Sequence, residues 1–260
     1  MPKVTVEVRQ ISDEERKRRA LARVEAELAE CDGCTGVCQK TNFKYNLPVA
    51  VERNGVIVVT STRCSYGVQR ELERAVSSSK IPDRYVGKTL ADYKVDAANV
   101  DAVSFAKIAS ASKIGAYFYG ECGTGKTFLA AIVAQDFLRQ GKSVLFVKVP
   151  NLLDDIKATF GGKGSELAIL DELEAADLVV LDDFGMEKPT QWAGATLCKI
   201  LDMRYDGRAK TLVTSNLSPK MLAEQLNNAA DGVNFNGSRI FDRLREICKP
   251  ILFKGTSRRN

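Results

Sequence analysis

Eight consecutive residues near the middle of the chain, Gly120-Glu121-Cys122-Gly123-Thr124-Gly125-Lys126-Thr127, have the types and spacing that cradle the phosphates of a nucleoside triphosphate. Glycines let backbone N–H groups curl around phosphate oxygens, and a helix starting at the end of the run adds its positive dipole end. Gly120, Gly123, Thr124 and Gly125 would form the loop. Lys126 would neutralise β- and γ-phosphate charge, and Thr127 would offer its hydroxyl to Mg²⁺. The plain alternative is a glycine-rich turn without nucleotide. An apolar stretch before the run and a helical pattern after it argue against that alternative.

Leu178-Val179-Val180-Leu181-Asp182-Asp183 is an apolar run ending in two carboxylates. A buried strand would deliver Asp182 beside the Mg²⁺, and Asp183 would polarise the attacking water. Taken alone, an acidic pair at a strand end is a solvated turn; following a phosphate loop, it reads as a metal and water site. A third run, Thr211-Leu212-Val213-Thr214-Ser215-Asn216, places an amide at a strand end, where it would orient the water and sense the γ-phosphate. By itself an Asn in that place is a cap or a turn.

These residues need strands to carry them. Candidate strands are Ala116–Tyr119, Ser143–Val149, Leu178–Leu181, Thr211–Thr214 and Pro250–Phe253, with helices between them that include Thr127–Gln140 and Trp192–Tyr205. Strands alternating with helices predict an α/β domain, a parallel sheet flanked by helices.

Before residue 80 the pattern changes. Val4, Val6 and Val8 alternate as in a strand, and Ser12 stands three residues before Glu15, a capping-box spacing. A helix is expected from there to about Glu30, with Leu21, Val24 and Leu28 on one face, packed on its own domain or docking a partner. Val56–Thr60 follows the Asn54–Gly55 turn signal as a hairpin strand, a helix is expected over Tyr66–Val76, and Ser77-Ser78-Ser79 with Pro82 reads as a linker. The expected domains are therefore 1–79 and 80–260.

Cys31-x2-Cys34-x3-Cys38, with Cys64 further on, offers four thiolates to one tetrahedral Zn²⁺, and a small loop-rich module needs such a staple. An iron–sulfur cluster would use the same ligands, and free thiols are the plain alternative. Cys122, Cys198 and Cys248 read as packing residues of the larger domain.

The 260 residues are 45% apolar, enough for a substantial core, and no apolar run is long enough to cross a bilayer. The opening residues MPKVTVEVRQ lack a secretion signal, so a soluble, cytoplasmic protein is expected. The net charge of +5 is compatible with nucleic acid without requiring it.

Four pieces together carry a resemblance: Gly120–Thr127, Leu181-Asp182-Asp183-Phe184-Gly185, Thr214-Ser215-Asn216-Leu217, and Ser238-Arg239-Ile240-Phe241-Asp242-Arg243-Leu244. On them, residues 80–260 resemble AAA+ ATPases of the DnaC/DnaI/IstB group. The resemblance implies a P-loop AAA+ domain, and with the chain ending at Asn260, soon after Leu244, one without a C-terminal helical lid. It implies that Arg243, supported by Arg239, reaches the γ-phosphate held by a neighbouring subunit; an ion pair within the chain, to Asp242 or Glu246, is the plain alternative. It places Tyr85 where relatives enter the adenine pocket. The cysteine module resembles the N-terminal zinc region by which DnaI-type loaders dock on the replicative helicase. The implied cofactors are ATP, Mg²⁺ and Zn²⁺. The implied partners are a DnaB-type replicative helicase, single-stranded DNA and further copies of the chain meeting at the ATP site, with no membrane. Lys148, Lys157, Phe160 and Lys163 would track the DNA strand, and the Arg258–Arg259 tail would add charge attraction. The implied function is ATP-dependent loading of a hexameric helicase onto single-stranded DNA. The alternatives are an IstB-like transposase helper that binds and remodels DNA, and a zinc-dependent adaptor whose ATP site only gates protein binding.

Overall fold

A computed structural model describes residues 18–19, 22, 46–53, 56–63, 65–112, 114–162, 164–187, 190–227, 237–255 and 257. Arg18, Arg19 and Ala22 are helical, at positions inside the expected N-terminal helix. Residues 4–8, the cysteines Cys31, Cys34, Cys38 and Cys64, and Lys163, Arg258 and Arg259 lie outside the described residues. By its internal contacts the chain divides into two compact units, Met1–Glu73 and Arg74–Asn260.

In the first unit, β1 (Asn46–Arg53) and β2 (Val56–Arg63) pair antiparallel, from Asn46 opposite Arg63 to Arg53 opposite Val56. The strand expected at Val56–Thr60 thus runs on to Arg63. Helix α1 (Ser65–Ser78) follows and runs through two of the three serines expected to form a linker. Their hydroxyls explain this: Ser78 Oγ donates to Arg74 O and Ser79 Oγ to Val76 O, closing the last turn. Ser79, which belongs to the second unit, is buried, and its carbonyl accepts the Phe146 N–H of the same unit at 2.7 Å.

That sheet has five strands: β3 (Gly115–Gly120), β4 (Val144–Lys148), β5 (Leu178–Asp182), β6 (Lys210–Ser215) and β7 (Cys248–Phe253). They lie in the order β4-β5-β6-β3-β7, all parallel. Every residue of β5 is buried, which is why Leu-Val-Val-Leu reads as a continuous apolar run. Alternate side chains serve opposite faces. Tyr117, Leu145, Val179, Leu181 and Val213 pack under α4 (Val149–Thr159), α5 (Glu166–Ala175), α6 (Gln191–Asp206), α7 (Pro219–Asn227) and α8 (Gly237–Ile247). On β3 the next residue, Phe118, meets Phe105 of α2 (Val100–Ile108) edge-on at 6.1 Å. Helix α3 (Lys126–Arg139) starts directly after the phosphate-loop residues that follow β3. Burying each such Val, Leu or Phe contributes roughly 1.5–3 kcal/mol, so the strand ends are held by a rigid core.

One charge lies inside that core. Arg204 on α6 is fully buried and donates to the carbonyls of Leu173 (2.7 Å), Ala176 (2.8 Å) and Lys210 (2.6 Å). It joins the end of α5 to the start of β6. Burial pulls its pKa down to about 10, which leaves it charged at neutral pH. Among the described residues no helix is long and apolar enough to cross a membrane.

Candidate nucleotide site

Gly125 caps α3 in the left-handed region, at φ +96°, where a Cβ would lie 2.8 Å from the Tyr93 hydroxyl oxygen. A side chain there would be strained and crowded, so the loop can turn tightly into the helix only with glycine. Thr124 is buried and ties the loop to itself, its hydroxyl donating to Glu121 O at 2.9 Å. Lys126 is also buried. Its ammonium donates to Gly120 O (2.7 Å), Glu121 O (2.7 Å) and Asn216 Oδ1 (3.0 Å). Because β6 lies between β5 and β3, the end of the amide-bearing strand falls between the paired carboxylates and the loop.

Asp182, at the end of β5, accepts two hydroxyls on one oxygen: Thr127 Oγ1 at 2.8 Å and Thr214 Oγ1 at 2.6 Å, both to Oδ1. Its other oxygen, Oδ2, is buried without a hydrogen-bond partner among the described residues. Burial pushes the Asp182 carboxyl above the ordinary carboxylate range, opposed by the Thr214 and Thr127 hydroxyls and assisted by the neighbouring Asp183 charge. A buried carboxylate with one unused oxygen, beside a hydroxyl at the start of a helix, is a hard oxygen donor set of the kind Mg²⁺ takes. Thr127 and Asp182 fit that ion and would hold it; it would supply positive charge against the charge of the phosphates. Asp183 is half-exposed, sits at φ +58°, and donates its N–H to Thr214 Oγ1 at 3.1 Å. Its Oδ2 lies 3.8 Å from Lys148 Nζ. One threonine, Thr214, therefore sets both carboxylates. The sequence reading passed over it, since a Thr in a buried strand looks like packing.

Tyr85 is not alone at the edge of the loop. Its ring stacks on Phe128 of α3, with centroids 5.3 Å apart and planes 12° apart, and Tyr93 tilts onto Phe128 at 5.4 Å. Gln135 fastens this segment to α3, donating to Tyr85 O at 2.9 Å and accepting the Gly87 N–H at 2.7 Å. Beyond β7 the chain returns to the loop, where Ser257 lies against Gly123.

Arg239 and Arg243 share one face of α8, as their four-residue spacing requires. Both grip Asp202 of α6: Arg239 Nη2 to Oδ2 at 2.6 Å and Arg243 Nε to Oδ1 at 2.7 Å. Arg243 also reaches Glu246 at 2.9 Å, and its guanidinium lies 4.4 Å above the Tyr205 ring. Asp202 was not foreseen, because nothing in the local sequence pairs residues that far apart. Asp242 is not among the hydrogen-bond partners of either arginine that the structure records.

A phosphate loop, a paired carboxylate on the neighbouring-but-one strand and a polar residue between them define an ATPase of the AAA+ class. The chain belongs to the IstB-like ATP binding protein family, whose match runs over residues 56–260. It is similar to the replicative helicase loader DnaC of Buchnera aphidicola (subsp. Acyrthosiphon pisum), with 28% identity over 182 residues covering 67% of this chain and 70% of that one. It is 31% identical over 129 residues to the replicative helicase loader DnaC of Escherichia coli K12, covering 49% of each. A crystal structure of DnaI superposes with a TM-score of 0.59 at 26% identity, covering 67% of this chain and 95% of that one.

Proposed function

We propose that this chain is an ATP-dependent loader that places a hexameric replicative DNA helicase on single-stranded DNA. The observation that carries the reading is the likeness to replicative helicase loaders, which covers 67% of the chain in the Buchnera aphidicola DnaC match. The relatives' names favour loading over a transposase helper. ATP binding would stabilise a loader assembly meeting at the nucleotide site, and hydrolysis would release the helicase.

In this reading residues 80–260 form the motor. Residues 1–79 would dock the helicase, with Cys31, Cys34, Cys38 and Cys64 holding one Zn²⁺; metal analysis of the purified chain finding no zinc would remove that part. Phe160 supports a contact with single-stranded DNA, since it is exposed beside Lys157 and meets Trp192 edge-on at 5.9 Å. Exposed rings flanked by lysine suit base stacking and phosphate attraction.

The test is co-purification of the tagged chain with its cognate replicative helicase, with and without ATP. A complex whose stability changes with ATP supports loading. No complex in either state, with capture of a transposase instead, replaces this reading by the transposase one.

A further inference from the structure

The turn after the two aspartates, Phe184-Gly185-Met186-Glu187, is held from several directions, and two of the groups that hold it, Glu187 and Gln225, have no part in the site described above. Gly185 stands at φ +86°, and a Cβ there would come within 2.8 Å of Leu222 Cδ1 on α7. Its N–H donates to Glu187 Oε2 at 2.9 Å, and its carbonyl accepts Gln225 Nε2 of α7 at 3.0 Å. One residue earlier, the Phe184 N–H donates to Thr214 O at 2.8 Å and the Phe184 carbonyl accepts the Ser215 hydroxyl at 2.6 Å. One residue later, Asn216 Nδ2 approaches Met186 Sδ at 3.4 Å. Glu187 itself is 8% exposed, and its Oε1 is buried without a hydrogen-bond partner among the described residues.

A buried carboxyl group is costly to hold and is kept only where its hydrogen bonds matter. Here the bond goes to the backbone of a left-handed turn that no ordinary side chain could occupy. That turn fixes Asp183 on its amino-terminal side, itself at φ +58°, and touches Asn216 through Met186. A shift of about 1 Å in a group that orients a reacting water costs about 100-fold in rate. The turn therefore needs a clamp, and Glu187 and Gln225 hold the two sides of one peptide unit's neighbour, Gly185.

We propose that Glu187 is a positioning residue for ATP hydrolysis: by accepting the Gly185 N–H it fixes the turn that aims Asp183 and Asn216 at the γ-phosphate, while Gln225 clamps the same glycine from α7. The proposal rests on the reading of Asp183 as the residue that orients the attacking water. On this proposal Glu187 acts through the Gly185 N–H it accepts, so removing it lowers the rate of the bound complex and leaves nucleotide affinity alone.

The experiment measures kcat, KM for ATP and fluorescent-nucleotide Kd for the full chain and for Glu187→Ala, Glu187→Gln, Gln225→Ala and Asp183→Asn, with folding followed by circular dichroism. Glu187→Ala is expected to lower kcat by about tenfold or more while Kd and KM change less than about threefold. Glu187→Gln keeps an acceptor for the Gly185 N–H and is expected to recover most of that loss. Gln225→Ala, at a half-buried position, is expected to lower kcat in the same direction, and it tests the clamp if Glu187→Ala does not fold. A kcat within about twofold of the parent in Glu187→Ala, or in Gln225→Ala where the former does not fold, overturns the proposal, as does a Kd that rises in step with the loss. Loss of hydrolysis in Asp183→Asn with none in Glu187→Ala removes the positioning role alone. Undiminished hydrolysis in Asp183→Asn removes the reading of the site on which the role stands.

Discussion

Lys126 Nζ and Asn216 Oδ1 are 3.0 Å apart, a hydrogen bond that joins the phosphate loop to the end of the neighbouring strand. The ammonium also donates to Gly120 O and Glu121 O, carbonyls of the loop. These three acceptors are neutral. In the proposed reading a phosphate oxygen, which is charged, would outbid them for the same protons and leave the Asn216 amide beside the new anion. The contact would then couple nucleotide binding to Asn216.

Lys126→Ala should weaken ATP binding by about 100-fold or more, since a buried phosphate charge loses its partner. Titration with a fluorescent ATP analogue measures this directly. An unchanged affinity would mean that the phosphates lie elsewhere.

Thr214→Val is close to isosteric and removes one hydroxyl that serves both aspartates. Asp182 loses a donor and the Asp183 N–H loses an acceptor. The Mg²⁺ concentration for half-maximal ATPase activity should rise about tenfold or more, as is typical when a residue orienting a metal ligand is lost. Magnesium titrations that coincide for the two proteins would show that Thr214 only packs.

Glu187 gives a dependence on pH. Burial pushes its carboxyl above the ordinary carboxylate range, against the backbone N–H groups of Glu187, Gly185 and Met186, which pull it down. The folded state therefore keeps this proton to higher pH than the unfolded chain does. Stability from this group is fully present below the unfolded value and is lost as pH rises through the folded one. Asp182 acts with the same sign in parent and variant, so the comparison isolates Glu187. From about pH 5 to about pH 8 the melting temperature of Glu187→Gln should fall less than that of the parent. Parallel curves would refute this.

Arg204 shows how a charge can serve the fold rather than the chemistry. Replacing it by Leu leaves the Leu173, Ala176 and Lys210 carbonyls without their donor. Buried carbonyls that lose a partner cost roughly 1–3 kcal/mol each, so a loss of about 3 kcal/mol or more is expected. Urea unfolding measures it, and a change under about 1 kcal/mol would mean that the site closes without penalty.

The parallel sheet was legible because its inner strands are largely buried and so appear as apolar runs, β5 above all. The phosphate loop and the aspartate pair were legible because their chemistry needs particular residues at particular spacings. The groups that hold these residues were not. Thr214, Gln225 and Asp202 act across distances in sequence that no period or motif encodes, and each is an ordinary residue of its own helix or strand. The serines at 77–79 misled for a related reason: serine is common in linkers, but Ser78 and Ser79 cap a helix by bonding back to its carbonyls.

Asp202 also decides how Arg243 must be tested. In a single chain Arg239 and Arg243 are both held by this one carboxylate, and Arg243 has Glu246 as well. Asp202 hydrogen bonding keeps Arg243 firmly charged, which suits an arginine that stabilises phosphoryl charge. Two roles fit this arrangement. In one, the ion pairs fasten α8 to α6 and the arginines are structural. In the other, Asp202 holds the guanidinium groups in a fixed orientation for the ATP of an adjoining subunit. The roles differ in what Arg243→Ala does. If it acts in trans, that variant should bind ATP as the parent does and hydrolyse it at least about 100-fold more slowly. Mixing it with Lys126→Ala should then restore activity, because one subunit contributes the intact nucleotide site and the other the arginine. Asp202→Asn separates the contributions further. It frees both arginines without removing either, so a trans role predicts that it loses less activity than Arg243→Ala while both lose similar thermal stability. If the mixture stays inactive, and Arg243→Ala and Asp202→Asn are equally impaired in melting temperature and in rate, the arginines hold the helices together and the shared-site mechanism fails.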